Sequence, residues 1–419
     1  MLEYINLRYQ PSMNDVIVEY YVEPNNITVG EAAEHIAAES SIGTWTDIVT
    51  MNRDIAKELK PNVFSINGNN IKIAYPCELF ELGNMPQILS SIAGNIFGMN
   101  VINNLRLEDI RFPKKIINSF KGPAFGISGI RKLLKIKNRP LLGTIIKPKV
   151  GLNAKEHARV ARDAWIGGCD IVKDDENLTN QSFNRFKERV VETLEARDKA
   201  ENITGEKKIY MPNITAETEK MIERAEYVKD LGGEYIMVDI LTVGWSAVQT
   251  IRDLDLGLVI HAHRAGHAAL TRNKKHGISM LALAKIARLI GVDQLHIGTA
   301  VGKMEGSTAE VREIEGEMEE MITQSNKKQH VLEQRWYGIK PVFPVCSGGL
   351  HPGLVPELIK IMGKNIIIQM GGGIHGNLLG TMKGATAARQ AIDASMKNIK
   401  LEKYALSHVE LQKALEKWS

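Results

Sequence analysis

Lys173-Asp174-Asp175-Glu176 sets one lysine beside three carboxylates at the end of a short apolar run, Ile171-Val172. Residues two apart on a strand share a face, so Lys173 and Asp175 point the same way, and Glu176, just past the strand, can turn inward. Two carboxylates suit Mg2+, a hard cation that takes oxygen ligands. A lysine carries the wrong charge for a ligand. It becomes an oxygen donor only if it is neutralised and converted, as CO2 does when it carbamylates an amine. A lysine–carboxylate ion pair is the simpler account of these four residues taken alone.

Three further clusters could do chemistry. His261-Ala262-His263-Arg264 places two imidazoles on one face of a strand. That pair could bind zinc, or one ring could carry protons while Arg264 clamps a phosphate. A core histidine explains either ring singly. Ser347-Gly348-Gly349 and Gly371-Gly372-Gly373 are glycine clusters that let backbone N–H groups approach phosphate oxygens, with the Ser347 hydroxyl as a further donor. Tight turns are the plainer reading of each.

All of these groups sit at the ends of apolar segments. From Pro140 onward strand and helix patterns alternate, with strands expected at Leu141–Lys147, Asp170–Lys173, Lys208–Asn213, Tyr235–Asp239, Leu258–His263, Gln294–Gly298, Val342–Ser347 and Ile366–Gly371. Helical periodicity separates most of them, as in Ala154–Trp165, Phe183–Lys199, Glu217–Leu231 and Met280–Ile290. Eight such units make a (β/α)8 TIM barrel, whose active sites lie at the C-terminal ends of the strands and whose last two loops commonly hold phosphate. The rival, a doubly wound sheet, has a glycine-rich turn after its first strand. Here that strand ends in Ile146-Lys147-Pro148-Lys149. Polar groups fall at nearly every strand end, including Asn213, Asp239, His267 and His296, and a scatter of solvated loop residues does not explain that concentration. The first part of the chain reads as α+β: strands at Val16–Glu23, Thr44–Thr50, Asn70–Glu81 and Val101–Arg111, and helices from a capping box at Thr28 and over Pro86–Phe97. The β-α-β-β-α-β order suggests a ferredoxin-like domain. The expected organisation is residues 1–125 in that domain, 126–400 in the barrel and 401–419 in a helical tail.

Composition narrows the class. The chain has 419 residues, 44% hydrophobic and 24% charged, with a formal net charge of +4. That is ordinary for a soluble two-domain protein. No basic, aromatic-interleaved stretch favours nucleic acid. Cys77, Cys169 and Cys346 are widely spaced, which argues against a disulfide framework or a structural zinc site and favours a reducing cytoplasm. Neither a signal peptide nor a membrane span is expected.

Taken in order, these segments resemble the ribulose bisphosphate carboxylase (RuBisCO) large subunit, most closely its archaeal form III branch. Gly168–Asn177 is similar to the family's activation motif, Ile146–Lys149 to its strand-one lysine motif, and His261–His267 to its histidine–arginine motif. His296–Gly306 resembles its mobile loop, and the two glycine clusters its phosphate loops. Ala38–Thr46 and Ala93–Gly98 resemble the segments that reach a neighbouring subunit's site. The resemblance covers nearly the whole chain. It departs at Gly266, at Ile145, and at Ile374–Gly380, which lacks the usual His-Pro pair.

The resemblance implies a carboxylase, with an oxygenase side reaction, that adds CO2 to the enediolate of ribulose 1,5-bisphosphate and yields two 3-phosphoglycerates. Carbamylated Lys173, Asp175 and Glu176 would hold Mg2+. The carbamate would take the C3 proton, His263 would move protons during hydration, and Lys147 would protonate C2. Lys303, with Glu39 of a neighbouring subunit, would steady the added CO2. Arg264, His296 and Ser347 would bind one phosphate; Gly349, Gly371, Gly372, Thr44 and Trp45 would bind the other. Lys149, Gly348 and, across the interface, Asn95 complete the expected substrate contacts. A homodimer with shared sites, open to higher assembly and without a small subunit, follows from the same resemblance. The alternatives are a RuBisCO-like enolase or tautomerase, a carbamylated-lysine hydrolase of the amidohydrolase type and a non-catalytic assembly protein. The first would have lost part of the polar set, the second would want His-x-His on the first strand, and the third would not need the set at all.

Overall fold

The computed structural model describes residues 3–46, 48–302 and 307–418. The chain forms two units, Met1–Gly122 with Gly266–Ile290 and Glu320–Ile339, and Pro123–Ala265 with Gly291–Glu319 and Lys340–Ser419.

In the first unit β1 (Val16–Pro24), β2 (Asn62–Asn67), β3 (Asn70–Tyr75) and β4 (Ile102–Arg111) form an antiparallel sheet in the order β4-β1-β3-β2. Gly277–Ile278 adds a short parallel strand beside β4. With the helices Val29–Glu39 and Met85–Ile92 this is the ferredoxin-like order. Thr28 and Glu31 make the expected reciprocal cap of the first helix. One strand lies elsewhere than expected. The described residues of Thr44–Thr50 form no strand; Asp47 lies outside them, and Trp45 is 79% and Val49 100% exposed. Strand propensity expresses packing on a half-buried surface, and it fails without one. The second strand is instead Asn62–Asn67, turned onto β3 through Gly68-Asn69, where Gly68 has φ +57°. The helix Met280–Ile290 is wholly buried, and its Lys285 Nζ donates to Asp109 Oδ2 of β4 at 2.7 Å.

The second unit holds eight parallel strands: β5 (Leu141–Ile145), β6 (Ile171–Lys173), β7 (Ile209–Met211), β8 (Tyr235–Asp239), β9 (Val259–His263), β10 (Gln294–Gly298), β11 (Phe343–Ser347) and β12 (Ile367–Met370). They pair in chain order around a ring, with β12 beside β5. An isolated bridge, Asn213 to Met237, joins the remaining edges. The barrel is therefore nearly closed, and its strands are apolar runs because both faces are covered. The helix Gly126–Leu134 plugs the N-terminal end: Ile127, Ile130 and Leu134 pack against Leu141, Ile171, Ile209, Tyr235, Val259 and Phe343. With that end filled, polar side chains gather at the other. Parallel registry brings them level, Ile145 opposite Lys173 and Asp239 opposite His263. The chain ends in the helices Leu401–Ala405 and Val409–Trp418. No helix among the described residues is long and apolar enough to cross a membrane.

Candidate active site

Lys173 ends a strand only three residues long, and both ends of that strand are pinned. Below it, Asp170 is fully buried and receives both Nη groups of Arg139, at 2.6 and 2.8 Å, and the Leu142 N–H at 2.8 Å. Above it, Asp174 points away from the barrel axis and receives Arg189 Nε at 3.0 Å, the Tyr210 hydroxyl at 2.8 Å and the Asn213 N–H at 2.9 Å. Burial alone would raise the Asp174 carboxyl, but the charge of Arg189, His157 with its Nε2 3.0 Å away, and the Asn213 N–H hold it well below the carboxylate range. Strand alternation thus assigns Asp174 to the frame and turns Lys173 and Asp175 inward.

The inward groups form one network. Lys173 is buried; its Nζ donates to the Asp174 carbonyl at 2.9 Å and lies 3.8 Å from Glu176 Oε2. Burial pushes its pKa below the ordinary lysine value, against the pull of Glu176 and Asp175. Glu176 goes the other way: burial would raise it, but Lys173 and His263 bring it down to about 2. Lys147 Nζ donates to Asp175 Oδ2 at 2.7 Å, and Lys149 reaches Glu176 Oε1 at 3.4 Å. Asn177 donates to the other Asp175 oxygen through its backbone and side chain, both at 3.2 Å. His263 Nδ1 meets Asp239 Oδ1 at 2.8 Å, which turns Nε2 towards Glu176 Oε2, 3.8 Å away.

Across the rim His296 Nδ1 lies 2.8 Å from Ser347 Oγ, and its Nε2 lies 2.9 Å from His261 Nε2. Burial pushes His261 down to about 3 and His296 well below the usual imidazole value, so both rings are neutral. Arg264 leans over the end of β10, where a Cβ on Gly298 would meet its Nη2 at 2.9 Å. Packing pushes the guanidinium down to about 10. Gly348 and Gly349 have φ +113° and +66°, a conformation that favours glycine, and the chain after β12 turns through the short helix Gly372–His375. His375 fixes that turn, with Nε2 2.9 Å from Thr144 Oγ1 and Nδ1 3.1 Å from Thr381 Oγ1. The segment that departs from the family's His-Pro pattern is thus tied to β5 by this chain's own histidine.

A cavity of about 680 Å3 opens here, lined by Lys147, Lys149, Lys173, Glu176, His263 and His296 together with Ser347–His351 and Gly371–Gly373; Arg264 and His261 lie outside its lining. Such a volume suits a small, highly charged substrate. Lys147, Lys149, Lys173, Asp175, Glu176, His263, Arg264, His296, Ser347, Gly348, Gly349, Gly371 and Gly372 all belong to this one unit. Glu39, Thr44, Trp45 and Asn95 belong to the other: Glu39 ends the first helix, Thr44 and Trp45 follow it, and Asn95 opens a short 3-10 turn. Lys303 lies outside the described residues. His267 bonds Thr271 at 3.0 Å within the first unit. Sequence reasoning did not single out Gln369 or Trp418, which also line the cavity; Trp418 stacks on His351 with ring centres 5.6 Å apart. Asp239 was visible as a strand ending, but its bond to His263 was not.

Among the described residues no three His, Cys, Asp or Glu side chains are placed to hold a metal ion. Asp175 and Glu176 supply only two such groups, and Lys173 between them would supply the missing oxygens as a carbamate. The donor set therefore fits Mg2+ on condition that the lysine is modified.

A plugged parallel barrel with basic, carboxylate and glycine-loop groups on one rim defines an enzyme class that acts on phosphorylated substrates. Comparison with known proteins narrows the class. Residues 126–418 match the ribulose bisphosphate carboxylase large chain, catalytic domain, and residues 3–116 match its N-terminal domain. The chain is 54% identical to a ribulose bisphosphate carboxylase of Methanocaldococcus jannaschii over 100% of both chains. It is 52% identical to one of Methanosarcina mazei over 99% of both. Its fold superposes on the dimeric archaeal Rubisco of Hyperthermus butylicus with TM-score 0.94 and 47% identity, covering 99% of this chain and 98% of that one. For the octameric enzyme of Pyrococcus horikoshii the values are 0.91 and 48%, with 99% and 96% covered. The chain belongs to the ribulose bisphosphate carboxylase large-chain family, alongside these archaeal relatives.

Proposed function

We propose that this protein carboxylates ribulose 1,5-bisphosphate at the barrel rim, with Lys173 carbamylated. The observation that carries the reading is the buried Lys173 amine, pushed towards neutrality and set 3.8 Å from Glu176 on the strand that continues into Asp175. A neutral amine attacks CO2 and loses a proton, giving a carbamate anion that joins the two carboxylates. Mg2+ held there would polarise the carbonyl and hydroxyl oxygens of the sugar.

The chain's own residues supply the rest. The modified Lys173 would take the C3 proton. His263, oriented by Asp239, would move protons as water adds to C3. Lys147 would leave Asp175 to deliver a proton to C2. Arg264 and Ser347 would hold one phosphate, with His296 acting through Ser347; Gly348, Gly349, Gly371 and Gly372 would hold the other, with Lys149 at the cavity edge. Glu39, Thr44, Trp45 and Asn95 would act on a neighbouring copy's site. The 79% exposure of Trp45 suits a residue that a second subunit covers. Lys303 would close over the substrate and steady the added CO2. The assembly is then a homodimer or a multiple of one, and relatives of both dimeric and octameric kind are known.

The test is incorporation of labelled bicarbonate into acid-stable 3-phosphoglycerate, anaerobically, after preincubation with CO2 and Mg2+. Product that depends on the preincubation is expected. None at all would turn the assignment towards an enolase-type relative.

A further inference from the structure

Behind Ser347 runs a buried chain of polar groups, of which the reaction scheme leaves Gln294 and His261 unused. Gln294 Oε1 lies 2.8 Å from His261 Nδ1, His261 Nε2 lies 2.9 Å from His296 Nε2, and His296 Nδ1 lies 2.8 Å from Ser347 Oγ. Gln294 and His261 are fully buried, and the two rings meet edge to face at 4.9 Å. The Nε2 of Gln294 is buried and has no hydrogen-bond partner.

Each neutral imidazole has one N–H and one bare nitrogen, so the links cannot be set independently. With Gln294 Oε1 facing His261, the His261 proton must sit on Nδ1. His261 Nε2 is then bare and accepts the Nε2–H of His296. His296 Nδ1 is bare in turn and takes the hydroxyl proton of Ser347. Ser347 then shows only lone pairs to the cavity, the wrong polarity for a phosphate oxygen.

Turning the Gln294 amide over reverses every link. Gln294 Nε2–H donates to His261, His261 Nε2–H to His296, and His296 Nδ1–H to Ser347, whose hydroxyl is then free to donate outward. The orphaned atom becomes the amide oxygen instead of the nitrogen. Each direction leaves one buried amide atom unsatisfied, so the first, with Gln294 Oε1 on His261, is the resting one by a margin small enough for a bound anion to reverse.

We propose that Gln294 is a positioning residue for phosphate binding: its amide sets the direction of the His261–His296–Ser347 chain, and a bound phosphate reverses it so that Ser347 donates. The inference rests on Ser347 being a phosphate ligand. It assigns that ligand's donor state to a side chain that does not touch the cavity, and it needs no net proton uptake.

The test uses the full-length protein labelled with 15N at histidine and inorganic phosphate as the probe, with phosphate saturation judged from competition against ribulose 1,5-bisphosphate. His296 signals are assigned by comparison with a His296→Gln spectrum. The His296 proton is expected on Nε2 without phosphate and on Nδ1 with it. In Gln294→Met, no group holds the His261 proton on Nδ1. His296 Nδ1–H is then expected in both conditions, with phosphate bound at least as tightly as by the wild type. A merely structural role for Gln294 gives weaker binding and no change of tautomer. Phosphate that competes while the His296 proton stays on Nε2 overturns the proposal and leaves the phosphate reading standing. Phosphate that does not compete, or that competes equally in Ser347→Ala, removes the phosphate reading and the proposal with it. If Gln294→Met does not fold, the wild-type spectra alone decide.

Discussion

Asp239→Asn tests the positioning of His263 at the rim. Asp239 is buried, lies outside the cavity lining and meets His263 Nδ1 at 2.8 Å; its charge also acts on Lys173. As a carboxylate it can only accept, so it keeps the ring proton on Nδ1 and presents Nε2 to the substrate. Asparagine has almost the same shape but can accept or donate, so the tautomer is no longer fixed. A hydrogen bond to a charged partner contributes about 1.5–3 kcal/mol. At about 1.4 kcal/mol per factor of ten in rate, kcat for carboxylation should fall about 10–100-fold. KM for ribulose 1,5-bisphosphate should stay within about twofold, because no phosphate contact changes. The assay is labelled-CO2 fixation by the activated enzyme over a substrate series, beside a thermal melt to confirm folding. A kcat within twofold of wild type, or a loss carried by KM alone, would refute the assignment of Asp239 as the orienting group.

Four further outcomes are expected. Lys173→Ala should abolish fixation at any CO2 and Mg2+ concentration; wild-type turnover in that variant would end the carbamate assignment. Lys303→Ala should spare exchange of the C3 proton more than carboxylation, and equal losses would undo its separate role. Burial depresses His261 to about 3 and His375 to about 4, from 6.5. These histidines charge first in the unfolded chain, so stability is full above pH 6.5 and falls as pH drops towards the folded values. The slope is about 1.4 kcal/mol per pH unit for each proton. Urea midpoints measured from pH 7 to 5 check this, and a flat profile contradicts it. Lys285→Met leaves Asp109 charged and buried and should destabilise by about 3–5 kcal/mol in denaturant unfolding; a change below about 1 kcal/mol would show that the pair is dispensable.

The barrel was legible because most of its parallel strands are apolar runs that stop at a polar rim residue, as Tyr235–Asp239 does at β8. Tandem spacing also placed Lys173 and Asp175 on one face. What the sequence hid was contact at a distance. Nothing local to Asp174 says that Arg189 and Tyr210 turn it outward. Nothing local to Trp418 places it against His351. Thr44–Thr50 carries strand-forming residues, but among the described residues no strand pairs with them. Asn62–Asn67 drew no strand expectation, yet it is a strand because β3 pairs with it along its length.

The pinning of β6 bears on how the protein loses activity with heat. A catalytic lysine on a loop drifts out of line well before a protein melts. Lys173 stands on three residues fastened by Asp170 at one end and Asp174 at the other, and both fastenings reach into neighbouring strands and helices. The lysine can shift only if those buried carboxylates let go, and that is the unfolding of the barrel itself. Displacement of Lys173 should therefore follow the melting curve, and any inactivation at lower temperature would belong to the groups expected from a neighbouring copy.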